Sequence, residues 1–246
     1  GRLSNGGETV RLVDRDGLIV DTVSYRPGFP WPTAAAGGDS SMELTHPDLD
    51  NALGSSWRSS GFGGNLSLIQ SMQRLEEGIE EEWRPTPGKQ NSSFQEILSP
   101  SVLGVSHSPL SPTSKDRPLV EVSIPGGHSV RTVSLLVQSV TPGAYVPGYY
   151  PLQINVLRSE PSTPRQINLD FAAPSVWSRI TMKDDGVFPD RTSGDGVFTV
   201  ELKEAAHRTL VRYRVELRDG DFLEKATVVP FADDPSLNFS YFVYDG

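Results

Sequence analysis

Asp184-Asp-Gly-Val-Phe-Pro-Asp-Arg-Thr-Ser-Gly-Asp-Gly-Val-Phe198 lies between two strand-like runs, Trp177–Met182 and Val197–Leu202. Asp-Gly pairs stand at both ends of this loop, and they are typical of tight turns because glycine adopts positive φ without strain. The sequence therefore predicts a double turn that joins two strands of one β-sandwich.

Composition supports an all-β chain. The 246 residues include 23 Gly and 20 Pro without a repeat, a pattern that favours many turns and short strands over long helices. The length suits two ordinary β domains. We expect a first domain over residues 1–91, a linker over residues 92–103 and a second domain over residues 104–246.

Runs bounded by Gly, Pro or Asp mark the expected strands. In the first domain, Glu8–Val13 and Leu18–Tyr25 form a predicted hairpin, and a short strand is expected at Ser40–Leu44. Trp31, held between two prolines, is expected to plug one end of the sandwich. The strands expected after residue 100 are Ser101–Ser106, Leu119–Ile124, Val130–Val137, Tyr149–Val156, Trp177–Met182, Val197–Leu202, Val211–Leu217 and Leu223–Val229. A final apolar patch, Phe239–Tyr244, carries aromatic rings that are expected to need covering.

One helix is predicted, as an insertion in the first domain at about 65–84. Its apolar residues recur at steps of three and four and so share a face: Leu66, Ile69, Met72, Leu75, Ile79 and Trp83. Five glutamates cluster toward its C-terminal end. We interpret them as a solvated acidic face, with a dedicated partner surface as the alternative.

Charge and cysteine content narrow the function classes. The formal net charge of -9 argues against nucleic-acid binding, which relies on clustered Lys and Arg. With no Cys the chain forms neither disulfides nor thiolate metal sites. No apolar run approaches the roughly 20 residues that span a bilayer. We therefore predict neither a nucleic-acid partner nor a membrane span.

Four carboxylates of the loop are candidate calcium ligands, because hard oxygen donors on a flexible backbone suit Ca²⁺. They are Asp184, Asp185, Asp190 and Asp195. An EF-hand register that starts at Asp190 fails, since Asp195 occupies the position that requires Gly. The alternative is that these residues form Asx turns beside glycines, in which case no cofactor is bound.

No catalytic constellation is assembled by the sequence. Gly38-Asp-Ser-Ser41 superficially matches the start of a GDSL-type hydrolase, but a turn that enters a strand explains it better. The histidines at positions 46, 107, 128 and 207 lack metal-ligand spacing and are expected at the surface or in turns. Phosphate-binding glycine motifs do not occur. We predict that this chain is not an enzyme.

The first half resembles the C-terminal part of a lamin tail domain, an immunoglobulin-like β-sandwich. The matching residues are Leu3-Ser-Asn-Gly-Gly-Glu8, Asp16-Gly17, Val20-Asp21, Tyr25, Pro30-Trp31-Pro32, Gly37-Gly38, Ser41, Glu43-Leu44, Asp48, Asp50-Asn51, Trp57 and Thr86-Pro-Gly-Lys-Gln-Asn91. The resemblance implies that the first strands of such a domain are missing before Gly1. An unpaired sheet edge or an exposed core face is then expected.

The second half resembles the immunoglobulin-like module that lies between a lamin tail domain and a CotH-type, spore-coat-kinase-like segment. The matching residues are Val105-Ser-His-Ser-Pro109, Trp177, Met182-Lys-Asp-Asp-Gly186, Asp190, Gly194-Asp-Gly196, Val211-Arg-Tyr-Arg-Val215, Phe231-Ala-Asp-Asp-Pro235 and Phe242-Val-Tyr-Asp-Gly246. Together the two resemblances imply two tandem immunoglobulin-like or fibronectin-like β-sandwiches.

These resemblances suggest non-catalytic interaction and spacer modules of a larger secreted or cell-surface bacterial protein. The expected partners are other domains of the same polypeptide or cell-surface proteins. One alternative is the accessory N-terminal region of a CotH-like kinase with its catalytic segment downstream. The other is a glycan-binding module, whose platform would use Trp31, Trp57, Trp83, Trp177, Tyr145, Tyr149 and Tyr150.

Overall fold

A computed structural model of the chain describes residues 3–33, 35, 40–60, 86–96, 98, 100–124, 130–159, 168–219, 226–231 and 238–246. Within these ranges most regular structure is antiparallel β-sheet, with only short helical segments. The all-β prediction is therefore confirmed. The predicted helix at about 65–84 lies outside the described residues.

The strands before residue 61 form two separate pairs. Strand β1 (Glu8–Val13) pairs with β2 (Ile19–Tyr25) in the predicted hairpin, and β3 (Met42–Leu44) pairs with β4 (Trp57–Ser59). One turn of 3₁₀ helix, Gly54–Ser56, leads directly into β4. The side chain of Trp31 is buried and packs against this turn at Gly54. Its expected role as the plug of a first sandwich stays a prediction.

The strands after residue 103 form two sheets. One has the order β5-β6-β9; the other has the order β11-β10-β7-β8, with β12 also paired to β10. Their bounds are β5 Gly104–Ser108, β6 Leu119–Ser123, β7 Val130–Val140, β8 Ser178–Thr181, β9 Val197–Glu201, β10 Leu210–Asp219, β11 Ala226–Val229 and β12 Phe239–Phe242.

The two sheets share one apolar core, which gives this part of the chain its β-sandwich character. The fully or nearly buried members come from both sheets: Val120, Val122, Val133, Leu135, Val200, Val211, Tyr213, Val215, Leu217 and Val229. Four of them are alternate residues of β10, because successive side chains of a strand point to opposite faces. The alternation Val211–Leu217 therefore positions the core, as the sequence predicts.

The other face of β10 is covered as well. Residues 141–149 and 168–177 pack on this face, and we call them the covering segment. It contributes the rings of Phe171 and Trp177, which pack against each other. The prediction of a strand at Tyr149–Val156 is wrong. Residues from Ile154 to Ser159 form a short helix, α1, and a second short helix, α2, spans Leu169–Ala172. Pro151 has no backbone N–H to donate to a strand ladder, which explains why the run does not pair.

The region before residue 61 contacts the sandwich through aromatic rings. Phe29 lies 5.3 Å from Phe239 and 6.1 Å from Phe231, measured between ring centroids. The guanidinium of Arg58 lies 3.6 Å from the centroid of the Phe231 ring. These side chains extend the sandwich core toward β4. The expected boundaries at residues 91 and 104 stay predictions.

A buried carboxylate fastens residues 86–93 to β3. Glu43 is only 4 % exposed, and its two oxygens accept hydrogen bonds from Thr86 Oγ1, Ser92 Oγ and the Ser93 backbone N–H, each at 2.9 Å. Asn91 Nδ2 also donates to the Leu44 carbonyl at 2.8 Å. Because a buried carboxylate requires such donors, these polar residues stabilise each other.

Candidate functional site

The Asp-rich loop connects the two sheets of the sandwich. It leaves β8 at the edge of one sheet and enters β9 at the edge of the other. A bridge between Lys183 and Thr199 closes its base, with backbone hydrogen bonds of 3.1 and 2.8 Å. Gly186, Gly194 and Gly196 have φ of +71°, +74° and +80°, the turn geometry that Asp-Gly pairs predict.

Backbone N–H groups donate hydrogen bonds to the carboxylate oxygens of the loop. Asp184 accepts hydrogen bonds from Gly194 N at 2.6 Å and Gly196 N at 3.0 Å. Asp190 accepts from Gly186 N at 2.5 Å. Asp185 and Asp195 each accept from the N–H two residues further on, which is the Asx-turn arrangement. The loop is therefore fastened by its own side chains.

Three of the four candidate ligands come together. Asp184, Asp190 and Asp195 each place a carboxylate oxygen so that all three atoms lie within 4.8 Å of one another. Asp185 is directed elsewhere, and its carboxylate lies 3.4 Å from Lys183 Nζ. Such a cluster has the donor chemistry for Ca²⁺, but the backbone hydrogen bonds already account for its arrangement. Calcium binding stays a prediction.

The hydrogen bonds also set the acidity of Asp190. The N–H of Gly186 is the largest influence and holds the pKa of this carboxyl below its usual range, against the opposing effect of burial. Asp190 is 6 % exposed and is ionised at neutral pH. A carboxylate of lowered pKa is a poor general acid, so its properties are those of a structural anion.

The described histidines and serines do not form a catalytic pair. His46 stacks on Phe94, and His207 accepts a hydrogen bond from the Asp245 backbone. Ser40 and Ser41 of the superficial hydrolase match both bond to Ser60. His128, Gly38 and Asp39 lie outside the described residues.

His107 differs from its prediction as a surface or turn residue. It lies on β5, its Nδ1 is 2.8 Å from Tyr213 Oη, and its ring packs on Tyr241. Burial raises the pKa of Tyr241 to about 12, so this phenol is neutral at physiological pH. The histidine thus caps the core of the sandwich.

A groove lies beside the N-terminal hairpin. It has a volume of about 440 Å³, and its lining includes Val10, Val23 and Tyr25 of the hairpin together with Trp31 and Trp57. Val10 and Val23 are cross-strand partners and so share one face. Five apolar residues of the hairpin and its turn are each more than half exposed: Leu12, Val13, Leu18, Ile19 and Val20.

The described tryptophans pack against other rings. Trp31 and Trp57 lie 6.2 Å apart, and Trp177 packs edge-on against Phe171 at 5.5 Å. Tyr145 is 62 % exposed and contacts the guanidinium of Arg212. Trp83 lies outside the described residues. The glycan-platform hypothesis stays a prediction.

Sequence reasoning missed the arginines on the covered face of β10. Arg212 and Arg214 are 4 % and 6 % exposed, although their alternation with core residues predicts a solvent-facing position. Two features of the sequence could have indicated this burial: the arginine pair itself and the aromatic residues of the covering segment. Arginine stacks on aromatic faces more readily than lysine does.

Comparisons with known proteins add no assignment to this geometry. No protein-family model matches the chain, and no curated protein matches it either. Within the part of the chain that the structure describes, no helix has the length and apolar character of a membrane span.

Proposed function

We propose that the chain is a pair of non-catalytic interaction and spacer modules within a larger secreted or cell-surface bacterial protein. The observation that carries the proposal is the hairpin β1–β2, a two-stranded sheet whose apolar side chains are exposed. Isolated two-stranded hairpins are marginally stable in water, and exposed apolar patches mark interaction sites.

The occupant of the hairpin is proposed to be an extended strand from another domain of the same polypeptide or from a cell-surface protein. The backbone edge of β1 offers unpaired N–H and C=O groups for strand addition. Val10 and Val23 line the adjoining groove and provide a place for alternate apolar side chains of that strand. Main-chain hydrogen bonds would supply affinity, and the groove would supply selectivity.

This proposal is refined by the resemblance to lamin tail and CotH-associated modules, which supports an immunoglobulin-like arrangement for both halves. The position of the hairpin next to β3 and β4 is consistent with an incomplete first sandwich. The accessory role in a CotH-like kinase is a special case of the same proposal. The accessory role adds only that a kinase-like catalytic segment follows Gly246 in the full polypeptide.

Hydrogen exchange tests the proposal. The amides of residues 8–25 are compared in the 246-residue chain and in the natural polypeptide that contains it. We expect slower exchange in the larger polypeptide, because strand addition protects the edge amides. Equal exchange in both would rule out another domain of the same polypeptide as the source of the added strand.

A matched pair of variants assigns any protection to the groove face. Val10→Lys places a charge on that face and is expected to restore fast exchange in the larger polypeptide. Thr9→Lys places the same charge on the opposite face, where Thr9 hydrogen-bonds Ser24 at 2.9 Å. Protection that survives Thr9→Lys and is lost in Val10→Lys is the expected result. Purified chain that turns over a substrate would contradict the non-catalytic part of the proposal.

A further inference from the structure

The covered face of β10 carries a row of charged side chains. Arg212, Arg214, Glu216 and Arg218 alternate with the core residues of the same strand, so they share one face at intervals of about 6.6 Å. Arg179 of β8 faces the same side and binds Glu216 through two hydrogen bonds. We call these five residues the arginine row.

Positive charge exceeds negative charge in the arginine row. Its one carboxylate, Glu216, is shared by Arg179 and by Arg218, whose Nε lies 2.7 Å away. Burial acts to raise the pKa of Glu216, but hydrogen bonds from these two arginines outweigh it and the pKa is lowered. The carboxylate is therefore ionised and fully engaged. Because Glu216 is shared by Arg179 and Arg218, Arg212 and Arg214 have no anionic neighbour in the described part of the chain.

The two buried arginines differ in how they are satisfied. Arg212 Nη1 donates to the Val146 carbonyl at 2.8 Å and to Gln138 Oε1 at 3.2 Å. Arg214 forms no such bond to a described residue: its Nε is buried without a hydrogen-bond partner, and its guanidinium lies 5.9 Å from the centroid of the Trp177 ring. Burial lowers the pKa of Arg214 to about 10, which still leaves it cationic at neutral pH.

The buried guanidinium of Arg214 would be stabilised by a neighbouring anion. Burying an ionised group without a counter-charge costs free energy, and a distant aromatic ring offsets only part of that cost. The planar guanidinium also presents a fork of donors that matches a carboxylate or phosphate. Arg214 keeps 6 % of its surface exposed, so part of the residue still contacts solvent.

We propose that Arg214, beside Trp177 on the covered face of β10, binds a small oxyanion, either a carboxylate or a phosphate. The neighbouring Arg212 adds to the positive potential without contributing a free donor fork. The site is independent of the hairpin and of the Asp-rich loop. Its ligand would also fasten the covering segment to the sheet, since Trp177 belongs to that segment and Arg214 to the strand beneath it.

The experiment measures thermal unfolding and tryptophan fluorescence of the 246-residue chain in Tris chloride buffer. Sodium phosphate and sodium acetate are titrated separately to millimolar concentrations, with ionic strength held constant by sodium chloride. We expect at least one of them to raise the midpoint temperature and change the fluorescence. The phosphate and acetate arms distinguish a phosphate ligand from a carboxylate. Trp177→Phe is expected to remove the fluorescence change.

Three variants decide the outcome. Arg214→Met removes the charge at similar volume and is expected to weaken anion binding roughly 10- to 100-fold, the effect of losing charged hydrogen bonds. Arg214→Lys keeps the charge but not the fork and is expected to bind with intermediate affinity. Arg191→Gln makes a matched charge change at an exposed loop residue and should retain full binding. Circular dichroism verifies that each variant is folded.

Two results would overturn the proposal. One is the absence of any shift in the wild-type chain with either anion. The other is an equal shift in wild type and Arg214→Met, because general salt effects on stability act on both proteins alike. Neither result bears on strand addition at the hairpin, which hydrogen exchange tests separately.

Discussion

The guanidinium of Arg58 lies 3.6 Å from the centroid of the Phe231 ring, which joins strand β4 to the residue that follows the β11 region. Both side chains are buried, at 4 % and 7 % exposure. A desolvated cation over an aromatic face is worth more than an exposed one. This contact couples the short strand pair β3–β4 to the sandwich.

Phe231→Leu removes the ring and keeps most of the apolar volume. We expect a loss of about 1–2 kcal/mol in the free energy of unfolding, from the cation–π contact and imperfect repacking. Urea denaturation followed by circular dichroism measures it. Phe242→Leu, at a ring that is 49 % exposed, should stay within about 0.5 kcal/mol of wild type. Equal losses for both variants would contradict the coupling.

Gly54→Ala tests the packing of Trp31. A Cβ at residue 54 would lie 2.8 Å from atoms of the indole ring, so either the ring or the 3₁₀ turn has to shift. We expect a loss of about 1–3 kcal/mol, the usual cost of overpacking. Tryptophan fluorescence during urea unfolding reports it. Gly104→Ala, which meets nothing within 4 Å, is the control and should not be destabilised in this way.

Two glycines of the Asp-rich loop separate backbone strain from steric contact. Gly194→Ala is expected to cost about 1–2 kcal/mol, because its φ of +74° disfavours a side chain while nothing lies within 4 Å of an added Cβ. Gly196→Ala has similar backbone strain, but its Cβ would also meet the Ile124 carbonyl oxygen at 2.8 Å. It should be the more destabilised of the two in urea. The reverse order would contradict this geometry.

The lowered pKa of Asp190 predicts a pH dependence of stability. The unfolded chain has the higher pKa, about 3.9, and takes up the proton first as pH falls. The contribution of Asp190 is therefore complete above about pH 5 and is lost as pH drops through the folded pKa. Asp190→Asn should be less stable than wild type at neutral pH, and the difference should shrink in acid. A constant difference in thermal midpoint across this range would contradict it.

Calcium makes a separate prediction for the same loop. If the three clustered carboxylates bind Ca²⁺, millimolar Ca²⁺ raises the thermal midpoint relative to a chelator, and Asp190→Ala abolishes the rise. Asp185→Ala should leave it intact, because Asp185 lies outside the cluster. The absence of a shift in wild type would discard calcium and leave the Asx turns as the account of these residues.

Sequence patterns correctly predicted those features of the fold that depend on neighbouring residues, such as strands and tight turns. The alternation Val211–Leu217 placed a strand and its core face correctly, and the Asp-Gly pairs predicted the positive φ of Gly186 and Gly196. The same alternation gives no indication that Arg212 and Arg214, on the other face of β10, are buried. Their burial depends on the covering segment, residues 141–149 and 168–177, which packs over β10. No periodicity within the strand indicates such a cover.

For the Asp-rich loop, the sequence predicted the candidate residues but not which of them lie close together. Four acidic residues in one loop are visible in the sequence, but the turns decide which of them meet. Asp184, Asp190 and Asp195 converge because Gly186, Gly194 and Gly196 bend the backbone, whereas Asp185 points away.

The exposed hairpin also has a consequence for the protein in storage. Leu12, Ile19 and Val20 stand beside an unpaired backbone edge, and such an edge is a template for a second copy of the same strand. Loss of soluble monomer is then expected to accelerate with protein concentration. The net charge of -9 slows encounters between copies, so added salt should shorten the shelf life of a concentrated solution.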